Sequence, residues 1–145
     1  MNEIINEKVN NEEAVDLINE YLQDIGRYKL LTKEEEEAFA RIAATGDKRA
    51  KEALINHNLR LVISIAKEYR GRGLPFLDLI QEGNLGLIKA AEKYDLTKGY
   101  RFSTYATYWI KQTIGRGIFN HARNIKIPEH VIIFMNNVKK VEQDF

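Results

Sequence analysis

Apolar residues recur along nearly the whole chain at spacings of three and four, and the polar residues between them supply helix starts and stops. In residues 12–25, EEAVDLINEYLQDI, the positions Val15, Ile18, Tyr21, Leu22 and Ile25 fall on one face, and Gly26 closes the stretch. The next run, LTKEEEEAFARIAATGD, predicts a helix opened by Thr32 with Glu35 three residues on, a capping box. Its four glutamates suit the positive end of a helix dipole, and Gly46 ends it. Asp47 is expected to cap one long helix whose buried stripe is Ala50, Leu54, Leu61, Ile65 and Tyr69, closed by RGRGLP. Asp78 and Gln81 are candidate starts for DLIQEGNLGLIKAAEKY, and a turn around DLTKGY leads into residues 100–120. Pro128 opens a final segment, PEHVIIFMNNVKKVEQDF, with no stop signal before Phe145, so that element is expected to be cut short at residue 145. No strand, internal repeat or low-complexity tract interrupts the pattern. The fold class is all-α, a compact domain of about six helices. The first thirteen residues are expected to be disordered, 14–127 to form the domain, and 128–145 to begin a following helix.

Composition narrows the classes. At 145 residues, with 44% hydrophobic and 30% charged residues, the chain can bury a core and is neither a disordered nor a membrane sequence. It has no cysteine, which excludes disulfides and thiolate metal sites and fits a cytoplasmic location. The N-terminus, MNEIINEKVNNEE, is polar and acidic, unlike a secretion signal. Net charge is only +1, but it is unevenly placed: residues 1–56 carry 8 basic against 13 acidic side chains, and residues 57–145 carry 14 against 8. Between 97 and 126 there are six basic residues and no acidic one, which favours a polyanion at that block.

That block contains YRFSTYATYWIKQTIGRG, residues 100–117. On a helix over 104–120, Tyr105, Tyr108, Trp109, Gln112, Arg116 and Phe119 share one side, while Ala106, Ile110, Thr113, Ile114 and Gly117 lie opposite. The small aliphatic side is a sufficient core face, so the largest residues lie on the other. A second neighbouring helix could cover them, with Arg and Lys stems lying over the rings. The acid-free basic flanks favour instead a surface for unstacked bases. Each ring can stack on a base for ~1–3 kcal/mol while cations follow the phosphates.

With these residues in place the chain is similar to a known family. NLRLVISIAKEYRGRGLPFLDLIQEGNLGLIKAAEKYDLTKGYRFSTYATYWIKQTIGRGIFNHARNIKIPEH resembles the promoter-melting part of bacterial RNA polymerase sigma factors of the housekeeping-like family. DLIQEGNLGLIKA and GYRFSTYATYWIKQ are its most specific motifs, and INEYLQDIGRYKLLTKEEEEAFA resembles the family's preceding, discriminator-contacting segment. The resemblance spans residues 14–135 and implies a sigma domain 2-like unit. It implies a transcription initiation factor that binds core RNA polymerase, recognises and melts the promoter minus-ten element, and captures its non-template strand. By that resemblance Tyr105 stacks in place of a flipped adenine, Arg101, Phe102 and Thr104 help shape the pocket, and Tyr100 belongs to the DNA-binding set. Tyr108 and Trp109 wedge against the last intact base pair. Gln112 and Arg116 face the duplex, and Lys126 and His130 belong to the same DNA-binding set. Glu36, Asn58, Leu61 and Ser64 match a downstream thymine pocket, and Leu22 and Gln23 match discriminator contacts. The helix at 78–94 docks on the coiled coil of the polymerase clamp, through Leu77, Asp78, Gln81, Glu82, Asn84 and Ile88. Its period places Leu79, Gly83, Leu87 and Ala90 inward, with Leu85 and Ile88 among polar residues outside.

Three positions depart from the family pattern: Tyr108 where a second Trp is frequent, Gly115 where a Thr is usual, and Ile133 where a Glu is usual. No counterpart of the family's minus-thirty-five-reading helix-turn-helix is recognised. An enzyme is the second reading, and it finds little to stand on. His57, His121 and His130 have no metal-ligand spacing, no Gly-rich phosphate loop follows a strand, and no catalytic group or cofactor site emerges. The third reading is a sigma-like helical protein-binding module or decoy that does not melt DNA. Partners are thus core polymerase and promoter DNA, with an anti-sigma protein as a regulatory candidate and no membrane.

Overall fold

The computed structural model describes the backbone of residues 2–124 and the side chains of residues 12–122. Among the described residues six α-helices follow one another: α1 (Asn2–Ile25), α2 (Lys33–Ala43), α3 (Lys48–Asn56), α4 (Leu59–Glu68), α5 (Phe76–Lys93) and α6 (Phe102–Asn124). A 3₁₀ turn at Leu96–Lys98 joins the last two, and the described residues contain no strand. The fold is all-α, as the periodicity predicts.

Local chemistry sets several boundaries where expected. The Thr32 hydroxyl accepts from Glu35 N–H at 3.2 Å, and Glu35 Oε1 accepts from Thr32 N–H at 3.3 Å, which completes the capping box of α2. The hydrogen bond from Lys29 is the main reason the Glu35 carboxyl sits below its ordinary pKa. Asp47 caps α3 through Arg49 N–H and Ala50 N–H, at 2.9 and 3.2 Å. The turn before α6 is stopped by Gly99 at φ 88°, a left-handed conformation that glycine adopts without Cβ strain.

Three boundaries differ. The first thirteen residues, expected to be disordered, are helical from Asn2, since nothing between 2 and 25 is Gly or Pro and a started helix propagates cheaply. Among the described side chains of α1, Val15 is exposed, Tyr21 and Leu22 are half-buried and Ile25 is buried. Helix α5 begins at Phe76, directly behind Pro75, rather than at Asp78 or Gln81. The single long helix expected from Asp47 is two helices broken at His57 and Asn58. Asn58 Nδ2 takes the Leu54 carbonyl at 2.7 Å, the acceptor that the Asn58 amide would use in a continuous helix, and the amide turns to Ile55 instead. The break shifts the phase of the stripe: Val62, Ile63 and Ala66 are buried, whereas Leu61 and Tyr69 are only half-buried.

The core centres on α5 against α6. Leu79, Leu87 and Ala90 meet Phe102, Ala106, Ile110 and Ile114, all fully buried, and Val62 of α4 completes the contact. Two glycines of α5 permit this approach. A Cβ on Gly83 would stand 2.6 Å from Val62 Cγ1, and one on Gly86 would stand 2.6 Å from the Trp109 carbonyl oxygen. The pairing holds α6 so that its opposite side carries the aromatic residues.

Candidate nucleic-acid and polymerase interfaces

The rings of the 94–109 segment form a contiguous row. Tyr100 stacks on Tyr105 at 5.5 Å and 26°, Tyr105 meets Trp109 edge-on at 6.4 Å, and Tyr108 does the same from the other side at 6.4 Å. Tyr108 is 66% exposed and Tyr100 40%; Tyr105 and Trp109 are half-buried and rest on the core. Thr104, Gln112 and Arg116 are exposed beside them. The row thus has its inner edges in the protein and its outer edges in solvent. Lys93 Nζ lies 4.9 Å above the Trp109 ring, a cation–π contact that leaves an amine beside the row. Trp109 Nε1 is buried without a hydrogen-bond partner among the described residues.

Phe102 is a correction. Expected to shape the base pocket, it is fully buried, with its ring edge-on to Tyr94 at 5.3 Å. The helix starts at Phe102, not Thr104, and from there the core face runs Phe102, Ala106, Ile110, Ile114. Tyr94 was not expected to matter and stands at the centre of the cluster. It contacts Tyr100, Phe102 and Tyr105, and its hydroxyl donates to the Tyr100 carbonyl. In the sequence it closes a helix as an unremarked final tyrosine.

Burial first, and then the negative charge of Glu36, push the Tyr94 phenol above its ordinary value of 10.0. A raised folded pKa stabilises the neutral form, so its contribution is whole below the unfolded value and fades as pH rises through the folded one. Melting temperature is expected to fall above about pH 10, and less steeply for Tyr94→Phe. Equal alkaline slopes in both proteins, measured by circular dichroism, would remove this role from Tyr94.

The remaining DNA-facing candidates divide in two. Leu22 and Ser64 come together at a cleft of about 290 Å³ lined also by Ile25, Gly26, Arg60, Ile63 and Lys67. Gln23 is exposed on the same turn of α1 as Leu22. Arg60 and Lys67 were not singled out in the sequence, although their spacing from Ser64 places all three on one face of α4. The other expected members do not line that cleft. Asn58 is 7% exposed and turned onto the Leu54 carbonyl, and Leu61 packs against the core. Glu36 is also elsewhere: its carboxylate binds Arg101 and the Ser103 amide, each at 3.2 Å. Lys126 and His130 lie outside the described residues.

Gly115 sits within α6 with no atom within 4 Å of where a Cβ would be. Gly115→Ala is therefore expected to stabilise the protein by about 1 kcal/mol, read as a rise in melting temperature. A fall would mean that the position carries a contact hidden here.

On α5 the outward side is mixed. Leu85 and Ile88 are 53% and 39% exposed, Gln81 is exposed, and Leu77, Asp78, Glu82 and Asn84 are half-buried. The inward set Leu79, Gly83, Leu87 and Ala90 is buried as the period requires. Two of the docking candidates also hold the fold. Asn84 Nδ2 donates to the Tyr21 hydroxyl at 3.1 Å, tying α5 to α1. The Glu82 stem lies 2.7 Å from where a Cβ on Gly117 would be, so a larger residue there would displace the Glu82 side chain. Among the described residues no cluster of metal-ligating side chains occurs, and no helix is long and apolar enough to cross a membrane.

The sequence matches two family models, Sigma-70 factor region 1.2 over residues 16–49 and Sigma-70 region 2 over residues 54–124. Among curated proteins it is similar to RNA polymerase sigma factor SigA of Listeria monocytogenes serovar 1/2a and to that of Listeria innocua serovar 6a. Each is 54% identical over 128 residues, which cover 88% of this chain and 34% of the relative. The chain thus spans about a third of the length of these relatives.

Proposed function

The chain belongs to the sigma-70 family through regions 1.2 and 2, and on that premise we propose that it directs transcription initiation by binding core RNA polymerase and opening the promoter minus-ten element. The ring row of α6 captures the non-template strand, and the outward side of α5 docks on the polymerase clamp. The observation that carries this reading is the row itself, with Tyr108 and Tyr100 exposed at its edge inside a basic stretch without acids. Extracting a base costs a few kcal/mol. One or two stacking contacts at ~1–3 kcal/mol each recover that cost, and the neighbouring cations hold the phosphates. Phe102 supports the row from beneath and does not touch the strand. Leu22, Gln23, Ser64, Arg60 and Lys67 take the strand further downstream.

Nucleotide addition belongs to the polymerase. The test is co-purification with core polymerase followed by binding of a fluorescent single-stranded minus-ten oligonucleotide. A complex that binds it more tightly than a scrambled strand supports the proposal. A complex that forms and shows no preference leaves a polymerase-binding decoy, and no complex removes the clamp assignment.

A further inference from the structure

His57 takes no part in the ring row or in the clamp-facing side of α5, yet separate segments of the chain converge on its half-buried imidazole. It is the residue on which α3 ends, and its own amide donates to the Ala53 carbonyl at 3.0 Å. Its Nδ1 lies 2.8 Å from the Lys29 carbonyl, 28 residues back in the link between α1 and α2. A carbonyl only accepts, so Nδ1 carries the proton and donates. The ring meets Tyr28 of that link edge-on at 5.4 Å, and Phe39 of α2 stacks on it at 6.2 Å and 19°. Phe39 packs in turn against the core.

The Lys29 side chain is tied down as well. Its Nζ is 3.0 Å from Glu35 Oε2, while the other oxygen of Glu35 belongs to the capping box. Residues 29–32 are in neither helix, so side chains rather than a helical ladder fix the path of the link. The place of this latch bears on the downstream cleft, which has two walls. Leu22, Ile25 and Gly26 come from the end of α1 and the turn after it, and Arg60, Ile63, Ser64 and Lys67 come from α4. Lys29 lies three residues past the first wall, and His57 three residues before the second. One hydrogen bond therefore joins the chain leaving one wall to the chain entering the other.

We infer that His57 is a positioning residue for the strand downstream of the minus-ten element: it latches the α1–α2 link onto the α3–α4 break and so sets the cleft at Leu22 and Ser64. The inference rests on the reading above that this cleft takes the downstream strand. His57 does not line the cleft and acts through its walls. Without the donor the link is free to shift, and Leu22 and Gln23 lose their register against Arg60, Ser64 and Lys67. Nucleotides downstream then lose contacts, while the ring row on α6 keeps its own. A residue serving stability alone would weaken both.

The experiment uses the full chain bound to core polymerase. Fluorescence anisotropy compares a short minus-ten strand with the same strand extended downstream into the discriminator. In the wild-type complex the longer strand binds more tightly. His57→Phe keeps the ring stack and removes the donor. It is expected to cut the advantage of the longer strand about fivefold, the worth of one neutral hydrogen bond, with binding of the short strand unchanged. His57→Asn places an amide nitrogen where Nδ1 stands and is expected to restore most of the advantage. His57→Leu also lacks a donor and gives the same measurement should His57→Phe not fold. An undiminished advantage in folded His57→Phe or His57→Leu overturns the inference. Equal weakening of both strands overturns it too, as does a His57→Asn complex no better than His57→Phe. Arg60→Ala combined with Lys67→Ala tests the underlying reading. A complex whose long-strand advantage survives that pair loses the cleft as a strand site, whereas one that needs the pair and ignores His57 loses only the latch.

Discussion

Alanine in place of Tyr105 or Trp109 is expected to abolish opening of the minus-ten element while leaving attachment to core polymerase intact. Each change removes a ring that could stack on a displaced base for ~1–3 kcal/mol, comparable to the few kcal/mol that extraction costs. The balance that keeps the strand open then reverses. Both rings also rest on the core, so some stability is lost as well. For that reason Tyr105→Phe and Tyr108→Ala belong in the same series. The first keeps the ring and is expected to retain opening; the second removes a side chain 66% exposed, which supports little of the fold. Permanganate reactivity of promoter thymines with reconstituted holoenzyme measures opening, and a pull-down measures attachment. Unchanged reactivity in both Tyr105→Ala and Trp109→Ala would remove the ring row from the mechanism.

The largest expected loss of stability comes from one added methyl group, Gly86→Ala. The new Cβ would lie 2.6 Å from the Trp109 carbonyl oxygen and 2.9 Å from its carbon, besides meeting the Thr113 hydroxyl. A side chain could rotate away, but a helix backbone cannot, so α5 and α6 must separate along their contact. Overpacking typically costs 1–3 kcal/mol, and a backbone clash belongs at or above the top of that range, about 3 kcal/mol. Against a total of roughly 5–15 kcal/mol this is a large fraction, visible as a drop of about 10 °C or more in melting temperature. A melting temperature within a degree or two of wild type would mean that the helices lie further apart than described here. The same substitution at Gly115, on the open side of α6, is expected to act in the opposite direction.

Most of the fold was readable from local chemistry, and the failures share a cause. The capping box at Thr32 and the cap at Asp47 lie within one turn of sequence, and both formed as expected. The break at Asn58 was not readable, because asparagine is compatible with a helix until its side chain takes the Leu54 carbonyl. Phe102 was within reach. Starting the helix two residues earlier puts it in line with Ala106 and Ile110, on the core face, so that any part in shaping the pocket is played from beneath. Glu36 was half readable. Its spacing of four from Ala40 places both on the buried side of α2, but its partners lie 65 and 67 residues away, beyond any local pattern. The exposed candidates of α5 and α6 are placed by helix period alone, and their roles rest on the proposal above.

The interruption at Asn58 leaves two helices of nine and ten residues where one of about twice that length was expected. Segments so short are marginal in water on their own, since nucleation is unfavourable and few bonds follow it. Val62, Ile63 and Ala66 must therefore find a surface before α4 can persist, and the α5–α6 pair is the surface it packs against. The persistence of α4 thus depends on the α5–α6 pair, and so does the cleft at Leu22 and Ser64, which α4 lines through Arg60, Ile63, Ser64 and Lys67.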